Sequence, residues 1–195
     1  MTPRSFLRGM RNVTIAVAVA GSALLFGGGA AQAAPAAAAP APALAARTLV
    51  YNASGAGQFS ATADQAVAIW NQRVPNVHLQ KTGSPTIYIY VTNSGGSRAY
   101  VQGLGRGTVY IDTTQVNQGH SPLRILAHEL GHILGLPDNY NGNCAILMSG
   151  GSAGTSCKNP NPSTAEASRV NQLFSFAPAL AGKDEAFVAP VCHVY

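Results

Sequence analysis

The alternation of apolar and polar positions divides the chain into unlike stretches. Val13 to Leu25 is almost continuously apolar, and residues 34–46 are nearly all Ala and Pro. From Arg47 the pattern becomes mixed and periodic. Thr48-Leu49-Val50-Tyr51 has strand character, Ser54-Gly55-Ala56-Gly57 reads as a turn, and Ser60 to Arg73 predicts an amphipathic helix. Ser60 is its expected N-cap, and Ala63, Ala66, Val67 and Trp70 recur at helical spacing, with Trp70 as a core anchor. Strands are predicted over Asn76–Gln80 (His78 as a strand residue), Pro85–Thr92, Arg98–Gln102 and Thr108–Asp112, the last two flanking the Gly103–Gly107 turn. The run Leu123-Arg124-Ile125-Leu126-Ala127 opens a helix. Gly135 ends it, because glycine enters the left-handed C-terminal position without penalty, and Pro137 prevents resumption. Asn139 to Pro162 is irregular, dense in Gly, Asn, Ser and Pro. Ser163 to Phe174 predicts the last helix: Ser163 and Glu166 stand at capping-box spacing, and Ala167, Val170, Leu173 and Phe174 make an apolar face.

The apolar stretch near the start changes the picture of the termini. Arg4, Arg8 and Arg11 precede it and Ala31-Gln32-Ala33 follows, so residues 1–33 read as a secretory signal peptide. The apolar run is too short and too broken by glycine for a membrane span, so no stable membrane association is expected once the leader is cleaved. Residues 34–46 cannot bury a core and are expected to form a pro-segment or spacer. With no Cys to cap a metal, that spacer is not expected to block a site. Residues 47–175 form the expected domain, a size suited to one fold, and 176–195 an extension of unknown role. The formal charge of +5 rests partly on the leader: from Arg47 onward nine Lys/Arg face seven Asp/Glu, scattered rather than clustered. Nucleic-acid binding is therefore not expected. The Gly103–Gly107 stretch lacks a following Lys-Ser/Thr and a helix start, so it predicts a hairpin rather than a phosphate loop.

The candidate chemistry lies in His128-Glu129-Leu130-Gly131-His132-Ile133-Leu134-Gly135-Leu136-Pro137-Asp138. His128 and His132 fall one turn apart on one helix face, where two imidazoles can share a divalent metal, with Glu129 beside them as a base. The turn at Gly135 can return Asp138 as a third ligand. Of the three cysteines, Cys144, Cys157 and Cys192, any two can pair on sequence grounds alone. Met148 reads directly as a flexible apolar filler rather than a ligand.

The string HExxHxxGxxD, followed by Cys144-Ala-Ile-Leu-Met148-Ser-Gly-Gly, resembles the snapalysin family of small secreted zinc endopeptidases of Streptomyces-like bacteria, over about residues 47–174. The resemblance implies an α+β, zincin or metzincin-like fold: a twisted mixed sheet of four or five strands, an N-terminal helix, a zinc-site helix and a C-terminal helix. It implies one catalytic Zn2+ held by His128, His132 and Asp138, with Glu129 as general base and acid towards a metal-activated water. It also implies a Cys144–Cys157 disulfide, Met148 as the Met-turn residue, and Tyr140 as a candidate donor to the oxyanion. Secretion, a monomeric state and protein or peptide substrates follow from the same likeness, as does a preference for an aromatic residue after the cut. The strand over Arg98–Gly103 is expected at the sheet edge, where it can pair antiparallel with a bound peptide. Calcium is not carried over: the matching positions read Ser121-Pro122-Leu123, without the carboxylate that a hard cation favours. The sequon Asn52-Ala53-Ser54 is not expected to be used after bacterial export.

Two other readings compete. In a non-catalytic extracellular zinc protein the metal would only fix helix and loop, but such sites are commonly closed by a fourth Cys or His and need no acid at Glu129. The weaker alternative is an amidase acting on cell-wall peptide.

Overall fold

The computed structural model describes residues 46–180 and 192–193. The expected leader, residues 34–45 of the spacer, and residues 181–191 and 194–195 of the expected extension lie outside the described residues.

The elements run β1 (Arg47–Gly55), α1 (Ser60–Arg73), β2 (Val77–Gln80), β3 (Ile87–Thr92), β4 (Arg98–Gly103), β5 (Arg106–Asp112), α2 (Thr113–Asn117), α3 (Pro122–Ile133), α4 (Thr164–Leu180) and β6 (Cys192–His193). The sheet has the order β2-β1-β3-β5-β4-β6. β2, β1, β3 and β5 are parallel neighbours, while β4 is antiparallel to both β5 and β6. This mixed α+β architecture agrees with the expected class, with a short sixth strand added.

Alternation decides which face is covered. Ile87 and Ile89 of β3 and Val109 and Ile111 of β5 are fully buried beneath the helices. Their neighbours Tyr88 and Tyr90 point away and are partly exposed. Tyr88, Tyr90, Tyr110 and Tyr100 form a row on that outer face, with ring centroids 6.5, 5.7 and 5.8 Å apart in succession. Arg98 caps the row with its guanidinium 4.6 Å from the Tyr110 ring. On the inner face α1 contributes Ala63, Ala66, Val67 and Trp70, all buried. The indole N–H of Trp70 donates to Ala127 O of α3 across 2.9 Å, which ties the first helix to the motif helix. In α3 every residue from Arg124 to Ile133 is buried.

Several local expectations are corrected. Ser60 does not cap α1: Phe59 holds the N-cap position, because a 3-10 turn over Gly57–Phe59 leads directly into the helix. The Ser60 hydroxyl instead donates to Ala53 O at 2.7 Å. β1 continues past Tyr51 through the expected turn residues Ser54 and Gly55, because it leaves β2 and takes up pairing with β3 across a register shift. Arg106 and Gly107 belong to β5, so the hairpin turn is tighter than predicted. β4 is not a free edge, since β6 pairs with its first two residues. The short α2 was not predicted; Asp112 caps it by accepting from Thr114 N at 2.8 Å.

Candidate metal centre

α3 starts as its sequence demands. Ser121 Oγ accepts from Arg124 N, and Pro122 occupies the first turn, where its missing N–H leaves nothing unsatisfied. The helix ends in a paired cap: Gly135 N donates to His132 O at 2.9 Å and Leu136 N to Gly131 O at 3.0 Å. Gly135 has φ +93°, so a β-carbon there would be strained, and it would meet Leu173 and Leu104 at 2.8 and 2.9 Å. The chain thus reverses at Gly135 and carries Asp138 back over the helix.

The result is a convergence of three side chains. His128 Nε2 and His132 Nε2 stand 3.0 Å apart, and Asp138 Oδ1 is 3.2 and 3.3 Å from them. His128, Glu129 and His132 also form a cluster whose ligand atoms all lie within 4.8 Å of one another. Asp138 reaches both imidazoles at ion-pair distance and Glu129 reaches neither, so Asp138 is the better candidate for a third ligand.

The donor set fits a divalent cation. His128 Nδ1 faces Leu147 O at 3.1 Å and His132 Nδ1 faces Leu136 O at 2.8 Å. A carbonyl only accepts, so each Nδ1 carries the proton and each Nε2 of a neutral ring presents a lone pair. Two lone-pair nitrogens and a carboxylate oxygen pointed at one another repel unless positive charge lies between them. Asp138 Oδ1 is buried without a hydrogen-bond partner among the described residues. Two nitrogens and one oxygen suit zinc, with room for a fourth ligand.

The electrostatics agree. Burial holds the His128 imidazole below its ordinary pKa, against the opposing pull of Asp138. Partial burial would raise the Asp138 pKa, but the close His128 and His132 rings outweigh it and hold the carboxyl well below the usual range. Glu129 goes the other way. It is wholly buried, both its oxygens lack a hydrogen-bond partner among the described residues, and burial followed by the Asp138 charge raises its pKa well above normal, with Arg98 opposing.

Met148 lies under the helix. A β-carbon on Gly131 would stand 2.7 Å from Met148 Sδ and 3.3 Å from Trp70 Cζ2, so the glycine between the histidines admits both side chains. Tyr140 is half-exposed, and its ring shares the space beside Gly150 with His128. A β-carbon at Gly150 would be 3.1 Å from His128 Cε1 and 3.2 Å from Tyr140 Cε1. Cys144 and Cys157 are disulfide-bonded, their Cα atoms 5.5 Å apart.

Two charged residues that hold this site were not singled out for it. The Arg124 side chain is buried and donates to Asn159 O, Ile146 O, Leu147 O and Ser149 Oγ. Glu166 does more than close the predicted capping box with Ser163. Its carboxylate also accepts from Leu147 N at 3.1 Å and Met148 N at 2.8 Å. A lone arginine inside an apolar helix run was the available signal, since a charge on a buried face needs partners.

Residues 46–177 match the Streptomyces extracellular neutral proteinase (M7) family. The chain is 48% identical over 140 residues to an extracellular small neutral protease of Streptomyces sp. (strain C5), covering 70% of this chain and 61% of that one. It is 44% identical over 136 residues to that of Streptomyces lividans, covering 69% and 60%. To that of Streptomyces caespitosus it is 46% identical over 129 residues, covering 66% and 97%. The match thus spans about three-fifths of the first two relatives' length. Among solved structures, a hatching-enzyme zinc-protease from Oryzias latipes aligns over 67% of this chain and 90% of its own, at TM-score 0.43 and 18% identity.

Proposed function

The chain belongs to the Streptomyces extracellular neutral proteinase (M7) family, and on that footing we propose that it is a secreted zinc endopeptidase with a zincin-like fold. The observation that carries this reading is the meeting of two imidazole nitrogens and the Asp138 carboxylate beside a buried Glu129 that has no hydrogen-bond partner among the described residues. A structural zinc site has no use for that acid.

His128, His132 and Asp138 would hold the metal. When bound, zinc supplies Lewis acidity, polarising a carbonyl and lowering the pKa of water. Leu147 and Leu136 carbonyls orient the two imidazoles through their Nδ1 protons, as outer partners of metal-ligating histidines do. Glu129, with its raised pKa, accepts a proton from the attacking water and returns it to the leaving amine nitrogen. The Tyr140 hydroxyl donates to the carbonyl oxygen as negative charge develops there. Met148 and Trp70 pack the helix from below and keep the ligands in register.

Residues 1–33 act as the export signal and 34–46 as a short spacer in this proposal, with 47–175 as the catalytic unit, working as a monomer on protein or peptide chains. Among the described residues no helix is long and apolar enough to cross a membrane. The expected preference for an aromatic residue after the cut is checked by sequencing the fragments of a digested protein.

The test pairs metal analysis with proteolysis. Purified protein should carry one zinc per chain and digest a denatured protein, and a chelator should abolish both. His128→Ala and Asp138→Ala should each lower zinc content. Full zinc retention in Asp138→Ala would remove the third ligand, and proteolysis indifferent to chelator would remove the reading.

A further inference from the structure

The outer side of β4 has an occupant from this same chain. β6 pairs antiparallel with it, His193 opposite Arg98 and Cys192 opposite Ala99. An antiparallel neighbour on an outer strand is also the way an extended peptide adds to a sheet, through main-chain hydrogen bonds. β4 runs beside the motif helix. At its turn end, Gly105 N donates to Ile133 O at 2.8 Å, and a β-carbon on Gly107 would meet both Tyr100 O and Ile133 Cδ1. At its other end stands Arg98, which pairs with both β5 and β6.

The extension is suited to this place. Val191-Cys192-His193-Val194-Tyr195 is rich in strand formers. Residues 178–195 lie beyond the stretch matched to the family.

We propose that the outer edge of β4 is a peptide-docking strand whose resident occupant is this chain's own C-terminal segment, which competes there with substrate. The proposal rests on the endopeptidase reading and adds a regulation of the same site. Tethering supplies the segment at about millimolar effective concentration, so even a weak strand pair is substantially formed. A substrate long enough to pair along β4 must displace it, whereas a dipeptide-sized substrate that does not use the strand need not.

The experiment compares the full chain with a form ending at Leu180, and with a full-length double variant, Cys192→Pro with His193→Pro, which keeps the tail but cannot donate to the ladder. Two readouts are taken. Amide hydrogen exchange at Arg98–Gly103 reports docking without reference to activity. KM for a long quenched-fluorescence peptide reports competition. Exchange at whichever of Arg98 and Ala99 turns its N–H to β6, the other facing β5, should quicken in both altered forms, and KM should fall about three- to tenfold with kcat unchanged. A synthetic peptide of residues 187–195 should then inhibit the shortened form competitively. Unchanged exchange in both forms would overturn the docking. Quickened exchange with unchanged KM would overturn the competition. If no form cleaves any peptide, the endopeptidase reading fails, while the exchange measurement still decides where the tail sits.

Discussion

The site is built from two halves of opposite character. α3 supplies His128, Glu129 and His132 from a regular helix that is buried from Arg124 onward. The return segment from Asn139 to Pro162 supplies the packing under and around them with no regular structure beyond a 3-10 stretch over Leu147–Ala153. The helix is held by its own backbone ladder and an apolar surround. The return segment is held by two charges, Arg124 from α3 and Glu166 from α4, and by one disulfide. The charged groups in the two halves have opposite energetic standing. Arg124 and Glu166 are buried with several charge-assisted hydrogen bonds to backbone, so removing either forfeits them together. Glu129 is buried with none among the described residues, so it burdens the metal-free fold, a cost that the proposed chemistry beside it would account for.

That contrast can be broken or sharpened by substitution. The largest effect is expected from Arg124→Met, which removes four charge-assisted hydrogen bonds to Asn159 O, Ile146 O, Leu147 O and Ser149 Oγ and should cost about 3–5 kcal/mol in chemical unfolding. A loss below about 1 kcal/mol would show that the return segment is anchored elsewhere. Replacing both Cys144 and Cys157 by Ser should cost about 3 kcal/mol by the same measurement, from the entropy of the loop that the bond closes. Glu129→Gln should lower kcat/KM by roughly 10²-fold or more, about 2.7 kcal/mol of transition-state stabilisation, with zinc content intact. Its metal-free thermal midpoint should be no lower than that of the parent, because an amide tolerates burial better than a carboxylate. A midpoint drop like that of Arg124→Met would erase the distinction between the halves. The smallest effect is expected from Tyr140→Phe, about a tenfold fall in kcat at unchanged stability, below a fully buried oxyanion donor because the ring is half-exposed. A kcat equal to the parent's would leave Tyr140 without a catalytic part.

What could be read in advance follows the range of the forces involved. The bounds of α1 were legible over Ser60–Arg73 because apolar spacing is local, while the role of Ser60 was not, since the preceding 3-10 turn moved the cap to Phe59. The end of α3 was legible from Gly135 and Pro137, because a positive φ admits few residues. Asp138 was legible as a candidate ligand only as far as its distance from the turn allowed. Arg124 passed as one more helix former, since its partners lie 22 to 35 positions away in sequence. Glu166 was legible towards Ser163, three residues off, and not towards Leu147 and Met148. The pairing of β6 with β4 had no local sign at all, because a strand carries no address for its neighbour.

Periodicity and turn chemistry alone placed the two imidazoles on one helix face, stopped that helix at a glycine and set an aspartate three residues on. These depend on backbone geometry within a few residues, which side-chain type dictates directly. Only the folded chain decided that Asp138 Oδ1 comes within 3.3 Å of both rings, that Arg124 and Glu166 clamp the segment beneath them, and that Cys192 and His193 pair with β4. Those contacts join residues far apart along the chain. Their energies come from burial and from satisfying polar groups that burial has stranded, and neither exists until the core has closed.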